Sequence, residues 1–179
     1  MSRPLRADAQ RNRDRLVETA LNAFTNEGAN VALESIAKRA GVGIGTLYRH
    51  FPTREALVEA VYRTELAKLC DAVPELLEAL PPYEATRAWL DRFVEYMATK
   101  QGMGDALRAV IASGGDPFAH SKELLTEAVV TLLRAVDRPD VDPMDVLATI
   151  SGIALTRGEL AGSADGMLDL VVNGLRYRP

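Results

Sequence analysis

The eleven residues from Gly41 to Phe51, GVGIGTLYRHF, constrain this chain more than any other stretch. Three glycines fall within five residues. A glycine inside a helix costs roughly 1 kcal/mol relative to alanine, so a short helix holding Gly43 and Gly45 needs a compensating reason, such as close approach to another surface. At about 100° per residue, Leu47 and Phe51 share one face with Ile44 near it. Gly45 and Arg49 lie opposite, and Thr46, Tyr48 and His50 flank. Just upstream, LESIAKRA places Leu33, Ile36, Ala37 and Ala40 on one helical stripe. Helix, short turn carrying Gly41, second helix: this is the pattern of a helix-turn-helix.

The run from about Arg11 to Cys70 resembles the TetR family of bacterial transcriptional regulators. The matching features are a first helix with Leu16, Ala20, Ala23, Phe24 and Gly28, then SIAKRAGVGIGTLYRHF, then Thr53-Arg54-Glu55-Ala56-Leu57. Two positions depart from the pattern. Ala32 and Gly43 stand where many members carry Thr and Ser, which removes two hydroxyls that serve phosphate or helix ends. The resemblance implies a repressor released from its operator by a small-molecule effector. The alternative is a constitutive or protein-partner-controlled DNA-binding protein without such a ligand.

Charge is distributed as that implication requires. The whole chain carries a net charge of -4, but residues 1–54 hold nine Lys or Arg against five Asp or Glu, a balance of +4. Residues 55–179 hold twelve against twenty, a balance of -8. A basic end on an acidic body is what binding a polyanion through one end looks like. With 179 residues and 47% apolar content the chain is long enough to bury a real core. The single Cys70 excludes an intrachain disulfide and a cysteine-based zinc site. No run approaches the roughly eighteen apolar residues of a membrane span, and the arginine-bearing N-terminus has no apolar segment after it, so a cytoplasmic location is expected.

The remaining pattern is helical throughout. A basic tail over residues 1–9, with Arg3 and Arg6, precedes a helix from about Asp8 to Asn26 that Gly28 stops. Arg11, Arg13 and Arg15 sit at its start, where the helix dipole disfavours cations, and so are expected to answer to an external anion. Thr53 is a good N-cap for a fourth helix from Arg54 to about Val73, ended by Pro74. Five more are expected at about Glu84–Lys100, Gly104–Ser113, Pro117–Val136, Pro143–Thr156 and Ala164–Arg176, with Asp116-Pro117 and Asp142-Pro143 as cap-plus-first-residue pairs. No stretch alternates as a strand. The expectation is an all-α protein: a three-helix DNA-binding domain over residues 1–64, joined through helix four to a helical effector and dimerisation domain over residues 65–179.

Roles follow from chemistry. A helix of about seven residues is roughly 10 Å long and enters a major groove about 12 Å wide. Tyr48 and His50 carry polar tips suited to phosphate, and Arg54 adds a cation at the start of helix four; in the resembled family the matching positions contact phosphate. Gly43 opens the DNA-binding stretch that enters the groove, and base reading is left to Ile44, Gly45, Thr46 and Arg49, with Ile44 either core or against a thymine methyl, and Arg49 on a guanine edge or on phosphate. One such helix cannot make a specific interface alone, so a homodimer on a palindromic operator is expected. Its interface is assigned to the last two helices, through Leu147, Ile150, Ala154, Leu168, Val171 and Leu175, with Ala148 and Gly152 allowing close approach. Trp89, Phe93, Tyr96, Met97, Met103, Phe118 and His120 are the candidates for an effector pocket, although aromatic and Met residues are more often plain core. An enzyme is not expected: the glycine pattern follows a helix rather than a strand and lacks a Gly-Lys-Ser/Thr ending, and His120 has no Ser or Cys partner motif. No cofactor or metal is implied.

Overall fold

The computed structural model describes residues 3–156 and 164–177. Among them run nine helices and no strand: α1 (Arg3–Glu27), α2 (Leu33–Arg39), α3 (Ile44–His50), α4 (Arg54–Ala79), α5 (Pro82–Gly102), α6 (Gly104–Ala112), α7 (Ser121–Ala135), α8 (Pro143–Thr156) and α9 (Ala164–Arg176). None is long and apolar enough to cross a membrane.

Three boundaries differ from the sequence reading. α1 begins at Arg3 rather than near Asp8. Pro4 sits in its first turn, where a missing N–H costs nothing, and Ala7, Ala9, Gln10 and Arg11 are good helix formers. The side chains of Arg3 and Arg6 lie outside the described residues. α4 runs through Pro74 instead of ending there. An interior proline costs about 3 kcal/mol, and the burial of Ala72, Val73 and Leu76 around it supplies the offsetting gain. Finally, Asp116-Pro117 does not open α7. Pro117 is buried in a turn, Ser121 N–H donates to the Phe118 carbonyl at 2.9 Å, and His120 precedes the helix at φ 65°, a left-handed value no helix interior accepts. The second pair behaves as expected: Asp142 Oδ1 accepts the Met144 amide at 2.8 Å, with Pro143 as the first helical residue.

Packing divides the chain into two compact units. One holds the residues up to Glu65 together with Thr99–Pro117; the other holds Leu66–Ala98 and the residues from Phe118 onward. Residues 99–117 therefore pack with the first unit, although the sequence reading groups them with the second. Close contacts explain why. A Cβ at Gly102 would stand 2.9 Å from Thr25 Cγ2 and 3.6 Å from Thr25 Cα, so glycine is what lets this backbone approach α1, while at Gly115 a Cβ would meet Val110 Cγ1 of α6 at 2.7 Å.

In the first unit α1 packs on both α2 and α3, with Leu16, Phe24, Ile36, Leu47 and Leu57 fully enclosed. Gly28 at φ 88° ends α1 and Gly41 at φ 68° makes the turn between α2 and α3, both values that favour glycine.

In the second unit α8 packs on α7 and α9. The Trp89 indole N–H donates to the Leu69 carbonyl at 3.0 Å and ties α5 to α4. Arg87 of α5 pairs with Asp169 of α9 at 2.6 Å and also with Asp91. Arg138 donates to the carbonyls of Leu175 and Tyr177, each at 2.9 Å, so a cation closes the C-terminal end of α9 as the helix dipole favours.

The residues that the sequence assigns to the dimer face lie mostly inward in the single chain. Leu147, Ile150, Ala154, Leu168 and Leu175 are all buried within the single chain, and only Val171 is half-exposed. The stripe with the strongest helical period faces the chain's own core, because that is the face α7, α8 and α9 need to hold one another. What the last two helices leave open is different: Met144, Ala148, Gly152 and Leu155 on α8, and Gly166, Leu170 and Gly174 on α9, with Tyr177 just beyond it.

Candidate nucleic-acid interface

The turn and the short helix after it are built from the residues of the opening stretch. Gly43 precedes α3 with φ -70° and ψ 148°, and its carbonyl accepts the amides of Thr46 at 2.9 Å and Leu47 at 3.2 Å. Neither Gly43 nor Ala32, the residue ahead of α2, supplies a side-chain cap. The two hydroxyls missing from the sequence are missing in function too. Leu47 and Phe51 are buried and anchor the helix, as the spacing predicts. Gly43, Ile44, Gly45, Tyr48 and Arg49 are exposed, with Thr46 and His50 half-buried. Ile44, for which the sequence allowed either role, is on the surface at 36% exposure. A Cβ placed on Gly43 or Gly45 would meet nothing within 4 Å. The free chain thus has no steric need for either glycine.

Several cations that the sequence offered to an external anion have internal partners. The Arg13 guanidinium lies over the Phe51 ring, 5.5 Å from its centroid, and is half-buried there. Arg11 pairs with Asp8 on its own helix. A further cation, Arg39, forms a two-pronged pair with Glu27, which ties the end of α2 to the end of α1 and holds the Glu27 carboxyl below its ordinary range. Arg54 donates from Nη1 to the Ala29 carbonyl at 2.9 Å. The role of Arg13 was hidden from sequence reasoning because its partner is an aromatic face, with no charge to pair in the pattern.

Of the seven effector candidates, Met103 lies in the first unit and the other six in the second. Trp89, Phe93 and Tyr96 are buried in a row, with ring centroids 5.7 Å and 6.1 Å apart. Met97 and Phe118 are half-buried, and His120 is exposed, its Nδ1 3.1 Å from Glu123.

Cys70 is half-buried on α4, and burial first, then Asp71 and Glu127, push its thiol up from 9.0 to about 11. The raised value favours the protonated form in the fold. Its stabilising effect is complete below pH 9 and is lost as pH rises from 9 towards 11. At pH 8 the native thiolate fraction is about a hundredfold below that of an ordinary thiol. Alkylation by iodoacetamide is expected to be slower by about that factor than in urea-unfolded protein, and equal rates in the two states refute the assignment. Among the described residues no group of three His, Cys, Asp or Glu is placed to hold a metal.

Residues 16–61 match the family described as bacterial regulatory proteins, tetR family, and residues 81–177 match the family described as transcriptional regulator SbtR-like, C-terminal domain. The structure is similar to that of the TetR transcriptional regulator SCO0520 from Streptomyces coelicolor, at 51% identity over 91% of this chain and 97% of that one, with a TM-score of 0.83. It is also similar to a TetR transcription regulatory protein from Mycobacterium vanbaalenii, at 34% identity over 97% of this chain and all of that one, with a TM-score of 0.80. The HTH-type transcriptional regulator SAUSA300_2515 of Staphylococcus aureus is 43% identical over 63 residues, 35% of this chain. The chain spans about a third of the length of the curated relatives it matches, 34% in that case. With one family matched over residues 16–61, a second across most of the helical remainder, and two solved structures alike over nearly the full length, the chain belongs to the TetR family of transcriptional regulators.

Proposed function

We propose that this protein is a cytoplasmic repressor that binds a palindromic DNA operator as a homodimer, one α3 entering the major groove at each half-site. The observation that carries the reading is the two-sidedness of α3: Leu47 and Phe51 hold it from within, while Gly45, Tyr48 and Arg49 are presented outward with open space around the glycine. Tyr48 and His50 take phosphates, and Gly43, Ile44, Gly45, Thr46 and Arg49 face base edges. The mate is a second copy of the chain, seated on the open face of α8 and α9. Small residues at Ala148, Gly152, Gly166 and Gly174 let two helix pairs approach closely, and Leu155, Leu170 and Tyr177 supply apolar area.

Selection of duplexes from random DNA by the purified protein tests this. The expected product is a palindrome whose half-sites lie about 34 Å apart, or a multiple of that. A single asymmetric site contradicts it.

Control by a small molecule is the less favoured of two readings at the aromatic locus. Trp89, Phe93 and Tyr96 already fill their space with one another, and the indole N–H is already satisfied by Leu69. A ligand there has to displace packed rings. We therefore favour control by operator occupancy alone or by a protein partner over an effector seated on these rings. Reciprocal linkage decides: an effector that releases DNA must itself be bound more weakly, by the same factor, when operator is present.

A further inference from the structure

The resemblance assigns Arg54 to phosphate, but the structure gives its guanidinium another task. Ala29 lies in the loop between α1 and α2, directly after the left-handed Gly28, where the Val31 amide reaches the Gly28 carbonyl over a long 3.5 Å. A loop so poorly braced needs an outside donor. Arg54 provides it from 25 residues away, half-buried, at 2.9 Å from the Ala29 carbonyl. Beside this bond is a small cavity of about 60 Å³, lined by Ala29 and Asn30 of the loop, Arg54 and Val58 of α4, and Ala106 and Val110 of α6. The loop therefore has room to shift if the donor is lost. α2 is pinned at its far end by the Arg39–Glu27 pair, so the Arg54 bond is the corresponding pin at its near end.

We infer that Arg54 is a positioning residue: it fixes the α1–α2 loop, hence α2, and hence the angle at which the turn at Gly41 delivers α3, without neutralising a phosphate. The inference rests on the DNA-binding reading above. It departs from it in one measurable respect, since a phosphate contact changes the salt dependence of binding and a positioning contact does not.

The test uses the full-length protein and a selected duplex, with fluorescence anisotropy from 50 to 300 mM salt, on R54M and R54K. R54M keeps the apolar stem and loses donor and charge. Its affinity is expected to fall about tenfold at every salt concentration, with the slope of log K against log salt unchanged. A slope shallower by about 1.8, from about 0.9 per phosphate in each of two protomers, overturns the inference. R54K keeps the charge and loses the guanidinium's reach and fork. It is expected to bind as poorly as R54M, and parental affinity in R54K also overturns the inference; this arm decides if R54M fails to fold. Hydrogen exchange on DNA-free protein gives a third readout: the Asn30 and Val31 amides are expected to exchange faster in R54K, and unchanged protection there counts against the role. If the parent protein retains no duplex at all, the DNA-binding reading fails, while the exchange experiment still judges the loop contact.

Discussion

Replacing Gly45 with alanine is expected to make the free protein more stable and its grip on DNA weaker. The first half follows from the chain alone. Gly45 lies in α3 with a φ in the ordinary range, and a Cβ there would meet nothing within 4 Å, so the protein gives up roughly 0.5–1 kcal/mol of helix stability at this position for no steric return of its own. The second half follows from the proposed interface. If Gly45 is where the backbone comes nearest the base edges, one methyl group forces the helix outward and shortens the reach of Thr46 and Arg49 on either side. A loss of about tenfold to a hundredfold in affinity is the expected scale, one to two misfit contacts at about 1.4 kcal/mol per factor of ten. G45E sharpens the contrast, because it sets a carboxylate against phosphates; binding should drop about a thousandfold or more while the melting curve stays at or near the parent's. Urea melts and anisotropy titrations on the same preparations measure both halves. Alanine at position 45 with parental affinity would falsify the approach argument, whatever the effect on stability.

The short helix α3 was legible in the sequence because its constraint is local. Gly41, Leu47 and Phe51 declare a left-handed turn and a buried face by residue type and spacing alone, and the structure realises both. The Asp142-Pro143 cap was legible for the same reason: donor and acceptor lie two residues apart. What escaped was decided at a distance. Pro74 reads as a stop by its own chemistry, but the residues buried around it outweigh the lost amide. Arg54 and Arg13 read as surface cations, and their partners, a loop carbonyl 25 residues away and the ring of Phe51, leave no periodic trace. The grouping of residues 99–117 with the first unit draws on a close approach of Gly102 to Thr25 that nothing in the pattern announces.

The largest effect on assembly is expected from Leu170→Glu. In one chain Leu170 is 72% exposed, midway between Gly166 and Gly174, and neither glycine has a neighbour within 4 Å of where a Cβ would stand. A polar substitution at so open a site changes the stability of the single chain by about 0.5 kcal/mol or less. In a two-fold dimer that closes over this face the same change buries an unpaired carboxylate in each protomer, and symmetry doubles whatever it costs, about 3–5 kcal/mol for a buried charge without a partner. L170E should therefore elute as a folded species of 19.5 kDa where the parent elutes at twice that mass. It should also lose operator affinity by about three orders of magnitude or more, since a lone α3 keeps half the contacts and none of the linkage between them. Ile150→Ala is the informative contrast. Ile150 has no exposed surface, so its truncation is expected to cost about 2–5 kcal/mol of fold stability in the single chain and to shift the melting curve before it shifts the mass. If L170E keeps the dimer mass and I150A is the variant that becomes a folded monomer, the pairing surface is the stripe first suggested by periodicity, and the open face of α8 and α9 serves something else.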